Sequence, residues 1–294
     1  MAATVMESNL TLTLEALAPT GAVFTTEQVS AFQYSLPLKK IEAGLSTLQL
    51  WGKILAENGK DYLLAQGSSK APFRMKNEFQ FDTKYYYSQD GVKWLDLQPV
   101  SPETSERCAR INTGFTGDAA HIYEVPEPVV PTEAVPPPPR EAEGEAEAEE
   151  DAEAEQPEAA EEPEPAPVKT HPVREIERLA AAMRAVDADT AVAPAGAIVL
   201  DARSELVYNK LFAGVSYPSS LDSYIHILQG PNGASLSKDI QGLWSLQYDE
   251  FLCTATVRSL LWPGYSLYYS ASDRTWGSLY VGSGLKNEDV AFMI

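Results

Sequence analysis

The sequence predicts an α+β protein: mainly antiparallel sheet with a few helices, interrupted by a long acidic disordered loop. Three observations carry this reading. Most apolar residues fall in short runs separated by turn-forming residues, which is the pattern of strands in hairpins and meanders. Only two segments show the 3.6-residue period of a packed helix. And the chain changes character abruptly at residues 126–168, where large apolar groups almost vanish. No regular alternation of strand and helix appears, so a doubly wound parallel sheet is not expected.

The first helix is marked by Thr25-Thr26-Glu27-Gln28, which has the form of a capping box. Val29, Phe32 and Leu36 then share one face until Pro37, which is expected to stop the helix. Across residues 47–66, two apolar runs flank Asn58-Gly59. That pair tolerates positive φ and predicts a hairpin with a two-residue type I′ turn. A second hairpin is expected where Phe79, Phe81 and Tyr85 to Tyr87 lead into Asp90-Gly91 and then Val92, Trp94 and Leu95.

Residues 126–168 contain the proline run Pro136 to Pro139 and then a Glu/Ala alternation from Glu141 to Glu164. Like-charge repulsion and proline oppose compaction, and little is buried to offset an ordering cost of roughly 1–2 kcal/mol per residue. The segment reads as a solvated internal linker; the alternative is an acidic docking tail. It divides the chain into a β-rich part with a short helix, residues 1–125, and a second part, residues 169–294, and the two parts are expected to share one body.

The second part opens with a helix: Val173, Ile176, Leu179, Ala180, Met183 and Val186 repeat at helical spacing, with Arg174, Glu175, Glu177 and Arg178 assigned to the other face. Strands are then expected at 243–248, 252–260, 265–269 and 279–281, as an antiparallel meander.

Composition excludes several functions. The 294 residues include 14 Tyr and 5 Trp, enough for a substantial core. Of the net charge of −20, residues 121–168 carry most, with 16 acidic groups against the single Arg140. The remainder holds no basic stripe of the kind that phosphate contact needs, so nucleic acid is not an expected partner. No run reaches the length of a membrane span, and the first twenty residues, with Glu7 and Glu15, do not read as a secretory leader. Two cysteines, Cys108 and Cys253, fit neither a disulfide framework nor a zinc knuckle, so a reducing intracellular compartment is expected.

Catalytic constellations are not found. His171 sits at the linker edge beside Pro172, His121 and His226 lie far from any cysteine or recognisable carboxylate pair, and Asp187 with Asp189 offers too few oxygens for a calcium loop. Ser235-Leu236-Ser237-Lys238 matches the S-x-x-K nucleophile pattern without its companion elements. Gly282-Ser283-Gly284 followed by Lys286 lacks the spacing of a phosphate loop and reads as a tight turn closing the last strand. The expectation is a non-enzyme without metal or cofactor; a hydrolase using Ser235 and Lys238 is the competing reading.

Aromatic residues are the dense feature: Tyr85, Tyr86, Tyr87, Trp94, Trp244, Tyr248, Trp262, Tyr265, Tyr268, Tyr269, Trp276 and Tyr280. Alternate strand residues face opposite sides, so some of these are expected to be partly exposed and to contribute to a binding surface. Trp51, Trp94, Trp244, Trp262, Pro263, Gly264, Tyr265, Tyr268 and Tyr280 are the structural or interface candidates, with Trp262-Pro263-Gly264 forming a sharp bend between two strands.

A family resemblance rests on particular stretches. Arg258-Ser259-Leu260-Leu261-Trp262-Pro263-Gly264, Tyr280-Val281-Gly282-Ser283-Gly284-Leu285-Lys286-Asn287 and Phe292-Met293-Ile294 resemble the end of radial spoke head protein 9 family sequences. Leu50-Trp51-Gly52-Lys53-Ile54 with Asp61-Tyr62, Gly114-Phe115-Thr116-Gly117-Asp118 with Tyr123-Glu124, Arg178-Leu179 and Pro194-Ala195-Gly196-Ala197 agree in the same order. The acidic insertion is the departure. The resemblance implies a structural subunit of the axoneme of motile cilia, in the head of the T-shaped radial spoke. There it would pack with other radial spoke head proteins, including the related proteins 4 and 6, and help pass contact from the central pair apparatus toward dynein regulation. A soluble interaction adaptor not tied to cilia is the alternative.

Overall fold

The computed structural model describes residues 10–70, 73–75, 78–80, 82–126 and 170–292. The expected acidic linker, beyond Pro126, and Phe81 lie outside the described residues. One body comprises Met1–Tyr123 with Val173–Ile294, and Glu124–Pro172 is a second unit.

The chain begins with helices α1 (Leu10–Leu17) and α2 (Thr26–Glu42), followed by strands β1 (Thr47–Ile54) and β2 (Tyr62–Ser68). A small hairpin, β3 (Phe73–Met75) and β4 (Glu78–Gln80), precedes β5 (Thr83–Ser88), β6 (Leu95–Leu97) and helix α3 (Pro102–Ala109). Strands β7 (Ile122–Pro126) and β8 (Thr170–Arg174) pair as a ribbon. Helix α4 (Glu175–Thr190) leads to four short strands, β9 (Val192–Pro194), β10 (Ile198–Leu200), β11 (Leu206–Tyr208) and β12 (Tyr224–His226). The closing meander is β13 (Trp244–Asp249), β14 (Thr254–Ser259), β15 (Tyr265–Ser270) and β16 (Thr275–Gly282).

The expected α+β class and the antiparallel meander are both present. Eight strands form one sheet in the order β13-β14-β15-β16-β1-β2-β5-β6. Every neighbouring pair is antiparallel except β1 and β16, which run parallel with Gly52 opposite Tyr280. That joint has no local sequence signal, because its strands come from opposite ends of the chain. Gly52 sits at a β-bulge with φ 149°, and a Cβ there would run into the Tyr280 carbonyl. Glycine is the residue that lets the two backbones meet at this point.

Both faces of the sheet are covered. On one side Leu17, Phe32 and Leu36 of the first two helices pack with Leu63, Ala65, Tyr86, Trp94, Tyr268 and Leu279. On the other, Leu179, Met183 and Val186 of α4 pack with Trp51, Tyr85, Tyr265, Leu267, Tyr269 and Tyr280. Burial on both faces explains why β15 is buried at all six positions instead of alternating.

The capping box of α2 forms as expected: Thr25 Oγ1 accepts from the Gln28 amide (3.2 Å) and Gln28 Oε1 from the Thr25 amide (3.1 Å). Thr25→Ala should therefore lower stability by about 1 kcal/mol, and Thr25→Ser should restore most of it. Urea unfolding midpoints measure both.

Three local expectations are corrected. Helix α2 does not stop at Pro37 but runs through it to Glu42. An interior proline costs about 3 kcal/mol in an isolated helix; here Phe32 and Leu36 are held in the core, and that packing outweighs the local preference. The hairpin at Asn58-Gly59 exists, but its strands end at Ile54 and Tyr62, so the connection is longer than two residues. Only Gly59 has positive φ, and the tip residues are drawn into other pairings: the Leu55 amide donates to the Gly282 carbonyl and the Glu57 amide to the Phe115 carbonyl. Finally, Glu175 and Arg178, assigned to the outer face of α4, are buried. The second hairpin pairs Tyr87 with Leu95 across a turn in which Asp90 accepts from the Val92 and Lys93 amides.

Candidate functional site

The aromatic residues singled out from the sequence converge on the sheet, and ten of the twelve are buried; Trp244 and Tyr248, on the edge strand β13, are half-buried. The polar atoms of most of the structural or interface candidates bond within the chain. The Trp51 indole donates to Asp187 (2.6 Å) and its ring lies 5.1 Å from Tyr280. Tyr85 donates to the other oxygen of Asp187 (2.6 Å). The Trp262 indole donates to Asp189 (2.9 Å), which also pairs with Lys286 (3.0 Å). Trp244 donates to Asp239 (2.7 Å), Trp94 donates to Ser35 (2.9 Å), and the Tyr280 hydroxyl accepts from the Gly284 amide (2.9 Å). Tyr265 packs against Trp244 with ring centres 6.4 Å apart, and the Tyr268 hydroxyl meets Thr13 (3.5 Å).

Pro263 and Gly264 make the bend between β14 and β15, closed by the Tyr265 amide donating to the Trp262 carbonyl (3.0 Å). Gly264 has φ 109°, and a Cβ there would strike the Val281 carbonyl. Trp51 and Trp262 thus clamp the last turns of α4 through two carboxylates two residues apart. The Asp187 carboxylate is enclosed even though part of the residue reaches solvent, and burial pushes its pKa up to about 6 against the opposing hydrogen bonds from Tyr85 and Trp51.

A second polar centre was missed by sequence reasoning. Glu175 is fully buried, and its oxygens accept from the hydroxyls of Tyr62 (2.7 Å) and Tyr123 (2.9 Å), the amides of Gly117 (2.8 Å) and Thr116 (3.1 Å), and the Thr116 hydroxyl. Burial raises the pKa of such a carboxyl, but these hydrogen bonds together outweigh it and hold Glu175 below its ordinary value. One turn on, Arg178 donates to the carbonyls of Gly114 (3.1 Å), Ile111 (3.3 Å) and Thr113, and lies over the rings of Phe115 (4.3 Å) and Tyr123 (4.9 Å). Helix α4 therefore grips the 111–118 loop. Nothing local distinguishes these charges from a solvated helix face; their partners are supplied by the loop.

The residues weighed for chemistry are placed as follows. The Ser235 hydroxyl shares a hydrogen bond with Ser237 (2.9 Å) and reaches Asp222 (3.5 Å), while Lys238 is exposed; the Lys238 amide donates to the Ser235 carbonyl (3.0 Å), but among the described residues no hydrogen bond joins their two side chains. His226 Nε2 lies 2.9 Å from Asp239, the carboxylate that also holds Trp244. Among the described residues, no group of three or more His, Cys, Asp or Glu is arranged to hold a metal ion, and no helix is long and apolar enough to cross a membrane.

No family model matches the sequence. Whole-chain comparison is decisive: a protein of Xenopus tropicalis described as "Radial spoke head protein 9 homolog" is 30% identical over 97% of this chain and 98% of its own length. The chain belongs to the radial spoke head protein 9 family. A Danio rerio member with the same description is 30% identical over 97% of this chain and 99% of its own, and a Homo sapiens member 26% identical over the same shares. The similarity covers 97% of this radial spoke head protein 9 family member, including its sheet and helix α4.

Proposed function

We propose that the protein is a non-catalytic structural subunit of the axonemal radial spoke head in motile cilia. It packs with other radial spoke head proteins, including the related proteins 4 and 6, and helps pass contact from the central pair apparatus toward dynein regulation. The observation that carries this reading is the end-to-end similarity to relatives described as radial spoke head protein 9 homologs, at 97% of this chain and 98% of the relative. A rigid spacer suits the architecture: a sheet whose central strands are buried on both faces, with Trp51, Tyr85, Trp94 and Trp262 hydrogen-bonded internally, holds its shape under load. In this role the buried Trp51, Trp262 and Tyr280 set the shape of the body, and the surface that meets neighbours is formed largely by other residues. The acidic stretch at 126–168 is a connection that the assembly accommodates, without nucleic acid or membrane as a partner.

The test is affinity purification of the tagged chain from ciliated cells in moderate salt, with mass spectrometry of what stays bound. Recovery of other spoke head proteins in fixed proportion is expected. Absence of ciliary proteins from the eluate would overturn the reading in favour of a soluble adaptor.

A further inference from the structure

Helix α2 has two apolar faces. Phe32 and Leu36 point into the core, as an amphipathic helix requires. Tyr34, Leu38 and Ile41, at i, i+4 and i+7, form a second ridge that faces outward and is 75%, 68% and 78% exposed. Across from this ridge stand Val92, 64% exposed, and Leu95, 44% exposed. Between them runs an open groove of about 970 Å³, lined by both sets except Ile41 and floored by Trp94. That floor is fixed: the Trp94 indole donates to Ser35, whose hydroxyl donates to the Gly91 carbonyl (2.7 Å), and Trp94 packs 6.1 Å from Phe32. Among the described residues nothing covers the ridge, and exposed apolar groups gathered this closely mark an interaction site.

We infer that this groove receives an amphipathic helix from a neighbouring subunit, one whose contacting ridge is aliphatic or aromatic and whose flank carries a carboxylate. The inference rests on the spoke-head reading above and names a docking face for it.

Two features select the occupant. The first is shape: an outward ridge at i, i+4 and i+7 is the surface that a second helix packs against, ridge into groove. Strand addition at the neighbouring sheet edge is disfavoured, since β6 is three residues long and carries Asp96 at its centre, paired with Lys39 (3.3 Å). The second is charge. Of the four charged residues lining the groove, Lys39 bonds both Glu42 (3.6 Å) and Asp96, which leaves these three satisfied among themselves. Lys93 is exposed at the rim and makes no ion pair among the described residues. The floor thus selects an uncharged ridge, and Lys93 supplies the one charge that an acidic flank complements.

The experiment expresses the full chain with Tyr34→benzoylphenylalanine in ciliated cells lacking the endogenous copy, irradiates isolated axonemes and sequences the cross-linked peptide. Sedimentation of the unsubstituted chain with axonemes is the control. A cross-linked peptide of helical period with an apolar ridge and a flanking Asp or Glu is expected. Leu38→Glu should reduce retention in the complex about tenfold or more with an unchanged melting temperature, and Lys93→Glu should weaken it until the partner carboxylate is changed to lysine. A cross-link to a second copy of this chain, to a segment without helical period, or to nothing while the chain still incorporates overturns the groove assignment and leaves the spoke reading standing. Failure of the unsubstituted chain to sediment with axonemes overturns both.

Discussion

Replacing Trp262 with alanine is expected to destabilise the body by about 3–5 kcal/mol, the range for removing a large buried aromatic side chain. The indole is 4% exposed in the core that joins α4 to the meander, so its loss leaves a cavity that the bend at Pro263-Gly264 is poorly able to collapse. Asp189 also loses its indole donor, and Lys286, which lies 5.8 Å from the ring centre, loses its cation–π partner. Trp262→Phe separates the terms: it keeps much of the apolar area and removes the indole hydrogen bond, so a smaller loss follows, of which about 1 kcal/mol is the hydrogen bond. Urea unfolding reads both. A midpoint for Trp262→Ala within error of the parent would show that the indole is not a core group in solution.

The parts of the fold that were legible in the sequence are those decided by neighbours in sequence. Thr25 and Gln28 cap one helix, Leu179, Met183 and Val186 define the inner face of another, and the strands of the final meander are separated by their own turns. What was not legible depends on contacts between distant residues. The tip at Asn58-Gly59 opens because the Gly282 and Phe115 carbonyls take its amides, and the helix passes Pro37 because its flanking residues are already packed. The parallel joint at Gly52 and Tyr280 exists only once both ends of the chain are in place. The aromatic residues announced a large core but not its two-sided burial, and Tyr34, Leu38 and Ile41 escaped notice because their outward ridge overlaps the same heptad as the inward one. Glu175 and Arg178 were concealed for the same reason: a charged pair on a helix reads as solvated until a loop is known to close over it.

That buried carboxylate gives the sharpest dependence on solution conditions. Replacing Glu175 with alanine leaves up to five donors, from Tyr62, Tyr123, Thr116 and Gly117, without their acceptor in a closed site. At about 1–3 kcal/mol for each buried donor left unpaired, and allowing for water entering the space, a loss of about 4 kcal/mol or more is expected. Acid acts on the same group. Its folded pKa is below the ordinary 4.5, so the charged form is stabilised by folding; that contribution is complete above pH 4.5 and is lost as pH falls below it through the folded value. Asp187 works in the opposite sense and in a different window: its folded pKa of about 6 exceeds 3.8, so its contribution is present below 3.8 and is lost as pH rises through 6. Stability measured by urea unfolding should therefore improve slightly from pH 7 to 5, and below 4.5 protonation of Glu175 works against that gain and lowers stability on the acid side. Glu175→Gln, which keeps a carbonyl acceptor but cannot titrate, should be less stable than the parent at pH 7 and should lack much of the acid-side fall. If the variant shows the parental slope below pH 4.5, the acid sensitivity belongs to other carboxylates and the loop grip at α4 is not its source.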